Sequence, residues 1–238
     1  MADAFLYLFI CHFIGDYYFQ SYELSIRKKS EIKSLLKHSF LYMIPFLSLL
    51  WLGDILSGFD KLFFLGTIGL AHFMVDAAKI SFTRRFIEDK YNEVSYIADQ
   101  TLHLLLLFAL SVFIFRFNLI YLGGNVSDIL KWMLYLLLIV KPANVTFRIV
   151  FAKYQSKDED NESIKGAGTM IGSLERLLMA LMIGLQQFSA IGLVLTAKSI
   201  ARYDKISKKP AFAEYFLIGT LYSTIATVAL YVLLFLIV

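Results

Sequence analysis

Long apolar runs alternate with short polar segments along the whole chain. Most runs approach the roughly 20 residues that a helix needs to cross a bilayer, and each is continuous instead of alternating between polar and apolar positions. We place them at residues 4–20, 36–57, 62–82, 96–115, 129–151, 173–203 and 211–237. The pattern predicts an all-α fold, a polytopic helical bundle in a membrane.

Composition agrees with a membrane protein. The 238 residues are 58% hydrophobic and only 18% charged, with a mean hydropathy of +0.66, whereas soluble domains carry more charge. We expect membrane lipids as partners and no nucleic acid, because the net charge of +4 comes from basic loops; a homo-oligomer stays open. The one cysteine, Cys11, excludes an intrachain disulfide. The N-terminus lacks the basic stretch of a cleaved signal peptide.

Lysine and arginine are concentrated in alternate loops, which indicates orientation because basic loops stay in the cytoplasm. The loops after the first, third and fifth runs are basic, whereas those after the second and fourth runs hold few basic residues. We therefore predict a multi-pass membrane protein with its N-terminus outside and its first loop in the cytoplasm.

The run at 173–203 conflicts with this alternation if it crosses the membrane once, because the next segment is again basic. A re-entrant helical hairpin resolves the conflict: 173–185 enters, 186–189 turns and 190–203 returns. Arms of about 13 residues are too short to cross comfortably. The hairpin gives six full spans, which is our preferred architecture; a single long, tilted span gives seven.

Histidine and aspartate recur four residues apart inside the apolar runs, so each pair shares one face of a helix. The pairs are His12 with Asp16, His72 with Asp76, and Asp99 with His103, and His38 opens the second run. The predicted orientation puts all of them in the cytoplasmic half of the membrane. Ionisable side chains are costly there and indicate a functional site.

Imidazole and carboxylate ligands suit a divalent metal, with zinc expected first and manganese or iron as alternatives. We predict His12, Asp16, His38, His72 and Asp76 as metal ligands, and Asp99 and His103 as catalytic acid or base groups. A proton or ion relay and purely structural hydrogen-bonded pairs are the alternatives. His38 alone also fits an interfacial polar residue, and Asp99 alone fits an acid that favours a helix N-terminus.

An H-F-x-x-D element occurs in both the first and the third run and precedes a basic loop each time. The repeat predicts a four-span bundle over 1–118 and a separate C-terminal membrane region over 119–238. In the latter, Pro142 should kink the fifth span. We predict that polar residues around the kink and the hairpin bind an anionic substrate. They are Lys141, Asn144, Glu175, Arg176, Lys198 and Arg202.

The motifs H-x-x-x-D-x-x-x-Q (12–20), K-H (37–38), H-x-x-x-D (72–76) and D-Q-x-x-H (99–103) resemble a bacterial integral-membrane family known as domain-of-unknown-function family 3307. Its long form has a C-terminal stretch similar to I-G-S-L-E-R (171–176), A-I-G (190–192) and A-K-S (197–199). The resemblance implies a location in the bacterial inner membrane and brings no established activity. H-x-x-x-D is also similar to elements of membrane-bound metal-dependent hydrolases and of cation diffusion facilitators.

Three functions fit these observations. The first is a metal-dependent hydrolase acting on a lipid or lipid-linked phosphate from the cytoplasmic side. The second is a divalent-cation or proton-coupled transporter that uses the same ligands, and the third is a non-catalytic membrane sensor or assembly protein. A transporter would need a second polar cluster that opens outward, and the sequence shows only scattered aspartates there.

Overall fold

The computed structural model describes residues 2–51, 58–86, 92–116, 126–155, 164 and 166–237. Every regular element within these ranges is helical, which confirms the all-α class. The α-helices are α1 Ala2–Phe13, α2 Tyr22–Arg27, α3 Ile32–Met43, α4 Gly58–Phe86, α5 Asn92–Arg116, α6 Val126–Val150, α7 Ala167–Gly184, α8 Phe188–Ala201, α9 Tyr203–Lys208 and α10 Pro210–Val232.

Five of the described helices are long and apolar enough to cross a membrane, so the protein is a helical membrane protein. The five segments are Phe59–Phe82, Glu93–Val112, Val126–Val150, Ala167–Gly184 and Pro210–Ile237. Within the described residues, the first two apolar runs are not continuous α-helices, and the end of the second run, 52–57, lies outside the described residues. The 12 residues of α1 continue into a five-residue π-helical turn, Ile14–Tyr18. Pro45 follows α3 and starts a 3-10 helix to Leu50, because proline has no N–H to continue the α-helix.

The chain divides into two compact units, Met1–Leu134 and Tyr135–Val238. The boundary that we predicted at 118 lies outside the described residues. In the first unit, α1 packs against α5, α5 against α4, and α4 against α3. Side chains of these four helices and of the 3-10 helix form one core, and its largest fully buried members are Tyr42, Phe46, Leu8 and Ile68.

Gly15 allows the π-helical turn to lie directly against α3. A Cβ atom at this position would lie 2.7 Å from the carbonyl oxygen of Tyr42 and 2.9 Å from a carbon of its ring. A side chain is therefore excluded, and the close approach places Asp16, the next residue, beside α3.

In the second unit, the run at 173–203 is two helices and not one. The chain breaks after α7, where Gln186 has a left-handed backbone with φ 59°. Met179 and Ile183 of α7 pack against Ile191 of α8. Lys198, near the end of α8, donates to Glu175, in the middle of α7, over 2.7 Å, so α8 folds back along α7. The helices start earlier than predicted, at residues 167 and 188.

Candidate metal centre

Four helices of the first unit bring the predicted histidines and aspartates together. His12 comes from α1, His38 from α3, His72 and Asp76 from α4, and Asp99 and His103 from α5. These six side chains are buried, with exposed fractions between 0% and 5%. Asp16 enters from the π-helical turn, and its side chain is 9% exposed. The sequence prediction that separate helices contribute to one cluster agrees with this arrangement.

The Nε2 atom of His38 lies at the centre of the cluster. It is 3.2 Å from Nε2 of His72, 3.2 Å from Oδ1 of Asp16 and 3.3 Å from Oδ2 of Asp76. One imidazole N–H donates one hydrogen bond and cannot satisfy three acceptors. The arrangement thus concentrates lone pairs from two helices, α3 and α4, and from the π-helical turn around one point.

The spacing of these atoms suits a shared cation. Ligand atoms at about 2.0–2.1 Å from one tetrahedral zinc ion lie about 3.3 Å from each other. Two triads offer one ligand atom per residue, all within 4.8 Å of one another: Asp16, His38 and His72, and His72, Asp76 and His103. His72 belongs to both triads, which makes it the common element of the centre.

Several buried ring nitrogens of the cluster have no hydrogen-bond partner within the described part of the chain. They are His12 Nε2, His38 Nδ1, His72 Nδ1 and His103 Nε2. In His103, Nδ1 lies 2.9 Å from the main-chain oxygen of Asp99 and therefore carries the proton. Its Nε2 then has a free lone pair, which is the tautomer that a metal-ligating histidine needs.

His12 lies beside the two triads and belongs to neither of them. Its Nδ1 is 3.2 Å from the hydroxyl of Tyr42, and its ring stacks on His103 at 5.5 Å between centroids. Tyr42 also stacks on His72, with ring centroids 3.5 Å apart and an angle of 4° between the planes. The geometry therefore gives His12 a position next to the ligands, with an unpartnered Nε2.

Two lysines form ion pairs with carboxylates of the cluster. Lys28 Nζ donates to Asp76 Oδ2 at 2.8 Å, and Lys79 Nζ donates to Asp99 Oδ2 at 2.6 Å. Asp16 has a neutral partner instead, since the amide of Gln100 donates to its Oδ2 at 3.0 Å. With neutral imidazoles, three carboxylates against two ammonium groups leave the cluster net negative, which favours a bound cation.

Lys28 follows α2, outside the apolar runs, and its side chain is only 11% exposed. Burial of the ammonium group lowers its pKa, but the carboxylates of Asp76 and Asp16 outweigh burial and hold the pKa of Lys28 above its ordinary value. Lys28 is therefore a charged group at the edge of the cluster.

Sequence reasoning did not select Tyr42, Lys28 or Lys79 for the site. Helical spacing contained a signal for two of them, because Tyr42 lies four residues after His38 and Lys79 three residues after Asp76. Lys28 lies in the basic segment after the first run, where only its charge was informative. Gln100, part of the D-Q-x-x-H motif, also accepts a 2.9 Å hydrogen bond from Tyr17.

Four of the six predicted substrate-binding residues of the second unit contact each other in pairs: Arg176 with Asn144, and Glu175 with Lys198. Arg176 is 2% exposed, and its guanidinium donates to the main-chain oxygens of Ile139 and Val140, to Asn144 Oδ1 and to Ser223 Oγ. Glu175 pairs with Lys198. Lys141 is half-buried next to Pro142, and Arg202 is exposed at the end of α8. The acceptors around Arg176 are all neutral, which is typical of a structural clamp.

Fold and site together define a class: a helical membrane protein whose first unit buries a cluster of histidines and aspartates. Within this class, the chain belongs to the family described as "Protein of unknown function (DUF3307)", which matches residues 4–123. The matched segment contains every histidine and aspartate of the cluster, and it confirms the resemblance seen in the sequence. The similarity of the C-terminal stretch stays a prediction. No curated protein and no solved structure matches the chain.

Proposed function

We propose that the protein is an integral-membrane metalloprotein in which the His/Asp cluster holds a divalent cation, with zinc as the expected ion. The convergence of His72, Asp16 and Asp76 on Nε2 of His38 supports this proposal most strongly. Hydrogen bonding alone does not explain it, because one ring nitrogen faces three polar atoms. The net negative charge and the free Nε2 of His103 add independent support.

We further propose that the bound metal serves hydrolysis of a lipid phosphate or a lipid-linked phosphate at the cytoplasmic face. Each triad offers three protein ligands, and catalytic zinc sites keep a fourth position for a water whose pKa falls to about 7. Lys28 and Lys79 lie next to the cluster and supply positive charge for an anionic substrate. Asp99 is a candidate acid or base group, and so is His103 where the Asp16–His38–His72 triad holds the metal and leaves Nε2 of His103 free.

Metal-dependent hydrolysis is tested with the detergent-purified chain, stripped with a chelator and reloaded with zinc. We expect phosphate release from phosphatidate or an isoprenyl diphosphate in mixed micelles, loss of this release in the stripped protein, and its return with zinc. Zinc binding without hydrolysis of either substrate would contradict the hydrolase and leave the metal centre intact. Zinc-dependent uptake into proteoliposomes would then favour the transporter.

We also propose that the helix pair α7 and α8 enters and leaves at the cytoplasmic face. The 14 residues of α8 extend about 21 Å, less than the roughly 30 Å hydrocarbon core. The Glu175–Lys198 ion pair joins the middle of α7 to the end of α8, and the polar Gln186 and Gln187 form the tip. A basic segment on each side of the pair then stays in the cytoplasm.

Cysteine labelling tests this orientation in a Cys11→Ala background. Lys153→Cys and Lys208→Cys place one thiol on each side of the helix pair, at positions that are both exposed. We expect a membrane-impermeant maleimide to label both in inverted vesicles and neither in intact cells. Labelling of the two positions from opposite sides of the membrane would contradict the proposed pair and favour a single crossing.

A further inference from the structure

The ion pair between Lys28 and Asp76 joins a surface segment to the proposed metal ligands. The ammonium group lies 2.8 Å from Oδ2 of Asp76, and the same oxygen lies 3.3 Å from His38 Nε2 and 3.8 Å from His72 Nε2. Lys28 thus contacts the carboxylate oxygen that faces two of the histidines. A metal ion bound to this oxygen would compete with the Lys28 ammonium group for the same lone pairs.

Lys28 reaches this position from a short helix at the surface. Ser21 caps the N-terminus of α2 by accepting a 3.1 Å hydrogen bond from the main-chain nitrogen of Leu24. Leu24 is buried, whereas Tyr22 and Ile26 are 68% and 51% exposed. One anchored apolar residue therefore fixes α2, and the lysine directly after the helix is directed into the edge of the cluster.

We propose that Lys28 is a resident counter-cation of Asp76, which a divalent metal ion must displace in order to bind. This inference rests on the proposed metal centre and assigns a regulator to it. In the exchange, the metal takes the carboxylate oxygen and the Lys28 ammonium moves into water, where it is hydrated; no bond of the chain is broken. Lys28 then sets the threshold of metal concentration at which the centre fills.

Breaking the Lys28–Asp76 pair costs the same free energy whichever ion binds, so Lys28 raises the concentration that every divalent ion needs and leaves the order of their affinities unchanged. That order is set by the oxygen and nitrogen ligands, which bind zinc more tightly than manganese or iron(II). At a low metal concentration, only the more tightly bound ions then fill the centre. Lys79 holds Asp99 in a similar pair, but its side chain is 26% exposed, so its contribution is more strongly screened.

Lys28→Met and Lys28→Gln test the displacement directly. We expect each variant to bind zinc about 10–100-fold more tightly than the unchanged chain, because the metal no longer removes an ion pair. Lys28→Arg should keep the weaker affinity. Lys33→Met is the matched control: Lys33 is exposed in the same basic segment, and its removal changes the net charge equally. A structural defect would lower the affinity, so a gain cannot come from misfolding.

Amine acetylation of the unchanged chain is a second readout that needs no variant. Mass spectrometry should show slow modification of Lys28 without metal and faster modification with saturating zinc, while modification of Lys33 stays constant. Equal zinc affinity of Lys28→Met and Lys33→Met, or zinc-independent modification of Lys28, would overturn this proposal and leave the metal centre standing. Absence of zinc binding in both the unchanged chain and Lys28→Met would overturn the two proposals together.

Discussion

His72→Ala is expected to abolish zinc binding by the purified protein, weakening the affinity by at least about 100-fold. His72 is the ligand that both triads share, and its Nε2 lies 3.2 Å from that of His38. Loss of a partner that merely orients a ligand weakens metal sites by about 10–100-fold, so loss of the shared ligand itself should exceed this range. Isothermal titration with zinc, supported by elemental analysis after gel filtration, measures the effect.

Two variants separate loss of a ligand from loss of packing. Cys11→Ala also removes a buried side chain in the core next to Tyr42, yet it removes no proposed ligand, so zinc binding should persist. Tyr42→Phe keeps the ring that stacks on His72 and removes only the hydroxyl near His12. We expect at most about a tenfold loss for this variant. If His72→Ala bound zinc with the affinity of the unchanged chain, the assignment of His72 as the shared metal ligand would be contradicted.

Arg176→Met should lower the thermal midpoint of unfolding by roughly 6–12 °C, which corresponds to about 3 kcal/mol for a chain of this size. The guanidinium donates to two main-chain oxygens of α6, those of Ile139 and Val140, at the turn before Pro142. Proline cannot donate to the oxygen of Leu138, so this turn already lacks one helical hydrogen bond. Without Arg176, Asn144 Oδ1 and Ser223 Oγ lose this donor and the two main-chain oxygens lose a second hydrogen bond, at about 1–3 kcal/mol for each buried group left unsatisfied.

Two further variants sharpen this prediction. Arg176→Lys keeps the charge but loses the planar fork that reaches Ile139, Asn144 and Ser223 at once, so it should recover little stability. Arg202→Met removes an exposed arginine of the same unit and should leave the midpoint unchanged. If Arg176→Met unfolded at the same thermal midpoint as Arg202→Met, the structural role of Arg176 would be refuted.

Much of the first unit's cluster was predictable from spacing. His12 with Asp16 and His72 with Asp76 share helix faces because they lie four residues apart, and the alternation of basic loops predicted similar depths for these pairs, His38 and the Asp99–His103 pair. Interhelical geometry was not predictable. His38 and His72 face each other because α3 packs against α4, and Asp16 lies beside them because Gly15 lets the π-helical turn approach α3; both are tertiary effects.

In the second unit, the sequence predicted the break between two helices but not the role of Arg176. The polar pair Gln186-Gln187 indicated a break in the long apolar run, and a break occurs there. The role of Arg176 was not visible, because a charged residue in an apolar helix suggests a ligand site as readily as a clamp. Its hydrogen-bond partners distinguish the two roles, and these partners, Ile139, Val140 and Ser223, lie far from Arg176 in sequence.

X-ray absorption spectroscopy at the zinc edge of the zinc-loaded protein identifies the atoms that bind the metal. We expect a first shell of only nitrogen and oxygen at about 2.0–2.1 Å, with the multiple-scattering pattern of imidazole rings that disappears in His72→Ala. A sulfur shell at about 2.3 Å, or a zinc ion coordinated by water without imidazole, would contradict the assignment of the metal to the His/Asp cluster.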